Sequence, residues 1–334
     1  MSRIIFWMSL GLVFATAVLL SGCGGGSGGG STPPPRVAFL SNRTGNFDIY
    51  ITTLAPGFPT VNLTNHSAGD DAFCWSPTGN QLAFLSDRSG AWELWIINAD
   101  GTGATQLTST GGTKADPAWS PVGNKIAFVD NNDIWVYDFT TNTTQNLTAG
   151  NGTNVMPCWS PSGNQIVFAS DRAAGNWDIW VMNADGTGVI QLTNDIQVEL
   201  RPVWSPNGQK IAFERGSDVW VMDANGANAL NLTNGAGTLN RWPTWSPNSQ
   251  SIAFERDGDI YRINANGTGL TQLTTMGSCF SPHWSKSAAG NSAITFMSAS
   301  SGNPEIYVMA PDGTGITNIS SNAAAVDSLP IWAP

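Results

Sequence analysis

Residues 159–193 read WSPSGNQIVFASDRAAGNWDIWVMNADGTGVIQLT, and this stretch decides the fold. Trp159 closes one strand, and Ser160-Pro161-Ser162-Gly163-Asn164 then turns the chain into Gln165-Ile166-Val167-Phe168. In such a turn Pro sets φ and Gly accepts a positive φ. A third strand, Asp178-Ile179-Trp180-Val181-Met182, runs into Asn183-Ala184-Asp185-Gly186-Thr187-Gly188. The Asp-Gly pair there is a strong hairpin signal. A short fourth strand ends on Leu192-Thr193. Strands two and three are apolar on both faces, which requires a sheet stacked on each side.

The same unit recurs along the chain with a period near 43 residues. Its Trp falls at Trp75, Trp119, Trp159, Trp204, Trp245, Trp284 and Trp332. The aliphatic-x-Phe strand ends at Phe39, Phe84, Phe128, Phe168, Phe213, Phe254 and Phe296. An acid opens the third strand at Asp48, Glu93, Asp133, Asp178, Asp218, Asp259 and Glu305. Leu-Thr pairs begin at Leu63, Leu107, Leu147, Leu192, Leu232 and Leu273, with Ile319-Ser320 as the seventh. Four markers each count seven. Repeats of this length, with four short strands apiece, predict an all-β fold: a seven-bladed β-propeller of four-stranded blades.

The ends of the repeat region predict how the ring closes. Val37-Ala38-Phe39 is a second strand with no Trp strand before it, and Ser328 to Trp332 is a Trp strand with no second strand after it. Together they complete one blade, so the C-terminal strand is expected to finish the N-terminal blade and hide its edge.

The repeat motifs WSPxGxxIAF, SDRxG, DIWVMNADGTG and QLT resemble the WD-like repeats of the TolB family. Similar repeats occur in tricorn protease and in the propellers of prolyl-oligopeptidase-type enzymes. The resemblance covers Arg36 to Pro334 and implies a propeller domain over 36–334. Two features depart from the family pattern. TolB carries an extra N-terminal α/β domain, and its propeller has six blades where this sequence counts seven. Propellers of this kind serve many functions, so the resemblance speaks more firmly for fold than for activity.

Ahead of the repeats, Arg3 precedes an uncharged run from Ile4 to Leu20, followed by Leu20-Ser21-Gly22-Cys23. A positive start, an apolar middle and small residues at the cleavage point make residues 1–22 a secretory signal; an uncleaved anchor is the alternative. The tetrad resembles the bacterial lipobox, which implies lipidation of Cys23. Several acyl chains on one residue would anchor the protein stably. Gly24 stands where an inner-membrane retention signal would place Asp, which by the same resemblance implies the outer membrane or cell surface. Residues 23–35 then form a linker, its GGGSGGGSTPPP run flexible at first and stiffened by prolines at its end.

Composition narrows the function. Only 11% of residues are charged, and 24 Asp+Glu against 14 Lys+Arg give a net charge of −10. Such a surface repels a phosphate backbone, so no nucleic-acid partner is expected. The scarce histidines, His66 and His283, and the absence of H-x-x-H and C-x-x-C spacings give no support to a zinc site. The Asn-Ala-Asp-Gly turns lack the alternating oxygens and distal Glu of a calcium loop and are read as structural. No metal or cofactor is expected. Cys74, Cys158 and Cys279 are expected to be separate buried thiols, and the recurrent arginines to bridge the acids of the third strands.

Positions that break the repeat mark the candidate site. The segments leading from each Leu-Thr strand to the next Trp strand are expected to be loops at the channel mouth, and there the aligned residues diverge. Asp71, Asp116, Glu199, Arg201, Arg241, Trp242, His283 and Asp327 are the candidate partner-binding residues. Mixed charge with aromatic side chains suits a recognition surface. The sequence therefore predicts a monomeric, non-catalytic, membrane-tethered module binding an envelope or extracellular protein or glycan. The alternative is a hydrolytic or lyase enzyme using rim carboxylates.

Overall fold

The apolar second and third strands pair along their whole length. In blade four Ile166 faces Met182 and Phe168 faces Trp180, with Ile166 to Ser170, Asp178, Ile179, Val181 and Met182 buried. The computed structural model describes residues 34–173, 175–235, 237–286 and 292–334. The signal, Cys23 and the linker up to residue 33 lie outside the described residues. Among the described residues the chain forms seven antiparallel four-stranded sheets and no helix. It is a seven-bladed β-propeller.

Blade one combines the two ends of the ring in the order Asp327–Trp332, Arg36–Ser41, Asp48–Thr53 and Thr60–Asn62. The other innermost strands are Asp70–Trp75, Lys114–Trp119, Asn154–Trp159, Glu199–Trp204, Asn240–Trp245 and Cys279–Trp284, for blades two to seven. Each innermost strand touches the next around the axis, and Asp327–Trp332 touches both Cys279–Trp284 and Asp70–Trp75. The predicted closure is therefore present.

In four blades the recurrent tryptophan stitches blade to blade. Trp159 Nε1 donates to the Ala118 carbonyl at 3.0 Å and Trp245 Nε1 to the Val203 carbonyl at 3.1 Å, in each case the residue before the preceding blade's Trp. At the seam Trp332 donates to the His283 carbonyl at 3.1 Å and Trp75 to the Ile331 carbonyl at 3.2 Å. A buried indole thus satisfies its N–H while covering the neighbouring sheet.

A second repeated device explains the Leu-Thr motif. In all seven blades the Thr or Ser of that motif accepts the backbone N–H of the residue after the third-strand acid. In blades one, two, three, five and six the same hydroxyl donates to the acid itself. The acids are consumed in tying strand three to strand four. The arginines do not bridge to them, contrary to the sequence expectation. Arg43 pairs with Asp327 at 3.0 Å and Arg88 with Asp70 at 2.9 Å, while Arg215 pairs with Glu199. Arg172 and Arg256 donate to the amide oxygens of Asn154 and Asn240, both at 2.7 Å. Each partner is the first residue of an innermost strand, and each guanidinium also lies over the Phe of its second strand. The arginines clamp strand one to strand two because their side chains fold back over that Phe.

None of Cys74, Cys158 and Cys279, all buried, is joined in a disulfide, as expected. In the Asn-Ala-Asp-Gly turns Asp100 and Asp185, and in the Ala-Pro-Asp-Gly turn Asp312, each accept from the Thr two residues on.

His283 sits under the seam, where its Nδ1 accepts the Trp332 backbone N–H at 3.5 Å. Burial, aided by Lys286, pushes its pKa down to about 3. An imidazole held neutral in the folded state but free to protonate when unfolded lowers stability as pH falls below its ordinary value near 6.5. By pH 4.5 this should cost about 2–3 kcal/mol, at roughly 1.4 kcal/mol per unit. Denaturant titrations at pH 7 and pH 4.5 should show His283→Gln losing less stability on acidification than the parent. Equal losses would mean that His283 does not titrate against folding.

Candidate binding site in the central channel

Innermost strands are flanked by neighbours on both faces, so their open space is the channel. Each contains a β-bulge at the same place. In blade five Leu200 faces Glu214 and Val203 faces Ala212, leaving Arg201 and Pro202 opposite Phe213 alone. In blade six Trp242 and Pro243 stand opposite Phe254. Blades one, three, four and seven repeat this with Pro330, Pro117, Pro157 and Pro282, and blade two has Phe73 in that place. Proline fits because a bulge leaves it without a ladder N–H to supply.

The residue before the proline takes a left-handed backbone in all six blades that have one, and Ala72 of blade two also has a positive φ. Its φ is 52° at Asp116, 58° at Met156, 52° at Arg201, 58° at Trp242, 49° at Ser281 and 54° at Leu329, with Ala72 at 20°. A non-glycine residue there costs about 1–2 kcal/mol. Bulges of this kind re-aim side chains and gather beside functional sites. The residue before the bulge is half-buried throughout: Asp71, Ala115, Val155, Leu200, Arg241, Phe280 and Ser328. Two stacked circles of variable residues thus run around the innermost strands.

All eight candidate residues from the sequence lie in these innermost strands, not in exposed loops. That corrects the expected rim. Glu199 and Asp327 are fully buried and committed to Arg215 and Arg43. His283 is buried beneath the seam. Asp71, Asp116, Arg201, Arg241 and Trp242 occupy the two circles. Carboxylates there take up N–H groups that the bulges free. Asp71 accepts from Ala72 at 2.7 Å, and Asp116 accepts from Met156 of the next blade at 3.1 Å. Burial raises the pKa of Asp71 despite that hydrogen bond.

Charge concentrates on the wall of blades five and six. The Arg201 guanidinium lies 4.0 Å from the centre of the Trp242 ring and pairs with Glu214 at 2.9 Å. The other Glu214 oxygen accepts the Trp242 backbone N–H at 2.7 Å, so one carboxylate holds two blades together. Glu255 stands directly opposite Arg241 in the strand pairing. Burial pushes Glu255 up to about 7, with Arg241 opposing that rise and Glu214 adding to it.

Glu214 and Glu255 were missed by the sequence reading, although a signal exists. Both follow the marker Phe, where the other blades carry Leu40, Leu85, Val129, Ala169 and Met297. Two glutamates in an otherwise apolar slot, beside two arginines, form a built cluster: a stacked cation–π pair, a pinned ion pair, a second guanidinium and a carboxyl poised near neutrality. Among the described residues no group of three or more His, Cys, Asp and Glu is placed to hold a metal ion.

The family model for the TolB beta propeller domain matches residues 31–133 and 129–259, more than half of the chain. The chain belongs to the TolB beta propeller domain family. Among solved structures, this TolB-type propeller is similar to TolB from Acinetobacter baumannii, at 21% identity and a TM-score of 0.57, over 90% of this chain and 67% of that one. It is also similar to an oligogalacturonate lyase in complex with manganese, at 14% identity and a TM-score of 0.65, over 85% of each chain. A chain of a nidogen/laminin complex matches at 10% identity and a TM-score of 0.55, over 90% of this chain and 98% of that one. At such identities these neighbours share the propeller fold with the TolB-type chain. Their functions differ from one another, as expected of a scaffold whose function lies in its site.

Proposed function

We propose that this TolB-type propeller is a non-catalytic binding module of the bacterial cell envelope, a monomer tethered through lipidated Cys23, that captures a protein or glycan partner at its channel. The observation that carries this reading is Arg201 stacked on Trp242 and pinned by Glu214, with Arg241 alongside. A preordered Arg–Trp surface loses little side-chain freedom on binding and suits a planar or acidic group. The TolB and nidogen/laminin neighbours are consistent with a protein partner.

A second reading is favoured by Glu255. A buried carboxyl near 7 has the pKa of a general acid or base, and one neighbour is a lyase. The two readings separate in one experiment. Purified full-length protein is used as bait on detergent-solubilised envelope, then incubated separately with oligogalacturonides while absorbance follows unsaturated products. The binding module should retain a discrete partner, lose it in Arg241→Ala/Trp242→Ala with the melting temperature nearly unchanged, and release no product. Cys23→Ala should leave the membrane fraction. Unchanged capture by the double variant would move the site elsewhere, and turnover abolished by Glu255→Gln would establish the enzyme.

A further inference from the structure

We infer that Arg241 binds a peptide carboxylate, an acidic side chain or chain end of the partner, and that Glu255 takes up a proton as that carboxylate arrives. This rests on the channel reading above and deepens it by naming the partner's chemistry.

The two arginines of the cluster differ in how they are held. Arg201 is fixed by Glu214 and stacked on Trp242. Arg241 is half-buried and in the field of Glu255, yet among the described residues no ion pair or hydrogen bond engages its guanidinium. A carboxylate is the anion that matches its planar fork with two parallel hydrogen bonds.

Glu255 is only 7% exposed and lies across the strand pair from Arg241. The charged groups facing it are Arg241 on the innermost strand, Arg201 and Glu214 on blade five, and Asp257 beyond the end of its own strand. Burial is the main cause that raises its pKa, with Arg241 and Arg201 opposing the rise and Glu214 and Asp257 adding to it. An ionised Glu255 repels an arriving carboxylate and competes for Arg241. Protonated, it no longer competes and can donate a hydrogen bond. Binding and proton uptake are therefore coupled, with one proton drawn from solvent for each carboxylate bound by the ionised form.

The surroundings favour a peptide over a sugar acid. On the flanking blades the slots equivalent to Arg241 hold Leu200 and Phe280, both half-buried. A hydroxyl-rich chain would meet apolar walls there, whereas a peptide with apolar residues beside its acid would fill them.

The test uses the intact protein with acetyl-Leu-Asp-Leu-amide, its Asn counterpart and digalacturonate, titrated calorimetrically at pH 6 and pH 8 in buffers of different ionisation enthalpy. The Asp peptide should bind about tenfold more weakly at pH 8, following the loss of the protonated Glu255 form, and should take up close to one proton there. Arg241→Lys should weaken binding about tenfold or more at both pH values by removing the fork. Glu255→Gln should bind equally at both and take up no proton. Equal binding of Asp and Asn peptides, preference for digalacturonate, no binding of any probe, or pH dependence retained in Glu255→Gln would each overturn the proposal. Partner capture lost in Arg241→Ala/Trp242→Ala but independent of pH would leave the binding module standing and remove only this inference.

Discussion

Deletion of Asp327 to Pro334 is expected to abolish cooperative unfolding. The segment is the innermost strand of blade one and pairs with Arg36–Ser41. Removing it strips the ladder from one side of that strand and exposes Val37 and Phe39, both fully buried. It also leaves Arg43 without Asp327, and deletes both indole stitches at the seam, Trp332 to His283 and Trp75 to Ile331. A ring opened at one blade exposes a long sheet edge as well as an apolar face. Tryptophan fluorescence in denaturant should replace one sharp transition with a broad, early one, or the chain should aggregate. A milder cut, Trp332→Ala, should keep the ring but cost about 3–5 kcal/mol, as large-to-small core changes at aromatic residues do. If the truncated chain unfolds at the parent's midpoint with the parent's slope, the ring does not depend on this strand.

The second large effect is expected at Lys114. In blade three the usual arrangement is inverted, with the cation at the start of the innermost strand. Its side chain is wholly buried, with Nζ 2.9 Å from Glu93 of blade two, 3.4 Å from Asp130 and 2.8 Å from the Thr110 hydroxyl. Burial pushes Glu93 up, but Thr108, the Gly111 N–H and Lys114 outweigh it and hold the carboxyl below its usual range. Lys114→Met keeps the bulk and strands two carboxylates together out of water. Breaking a buried pair from one side costs about 3–5 kcal/mol. The deficit should shrink as pH falls. The parent loses the stability that a lowered Glu93 pKa contributes above about 4.5, while the variant's carboxylates take up protons and cease to repel. Chemical denaturation at pH 7 and pH 4 measures both effects, and Lys114→Met/Asp130→Asn should recover part of the loss at pH 7. A deficit constant across that range would mean that it comes from packing alone.

Blade number, strand order and closure were legible because they depend on side chains that repeat. Trp75, Phe84, Glu93 and Leu107 mark one blade, and their counterparts mark six more. The arginine clamps were legible as repeats but not as partners. Sequence spacing places Arg88 near Glu93, whereas its guanidinium lies over Phe84 and meets Asp70 on the opposite strand. The candidate site was half legible. Divergence singles out Arg201, Arg241 and Trp242, but as channel-mouth loop residues, whereas they stand inside the innermost strands. The bulge was the missing element: it lets polar and bulky residues stand inside a strand without breaking it. Its signature is the proline two residues before Trp in six blades. Glu214 and Glu255 were overlooked because they sit in strands that otherwise read as core.

The circle of bulges works like a set of tumblers in a lock. At one backbone position, held left-handed by the ladder around it, the chain accommodates Ala72, Asp116, Met156, Arg201, Trp242, Ser281 and Leu329 alike. The geometry is imposed from outside the slot, so the backbone there does not depend on which side chain stands in it. On the proposed reading, recoding the lumen one tumbler per blade would change what the protein recognises, while the Trp and Phe layers that keep the sheets together stay in place.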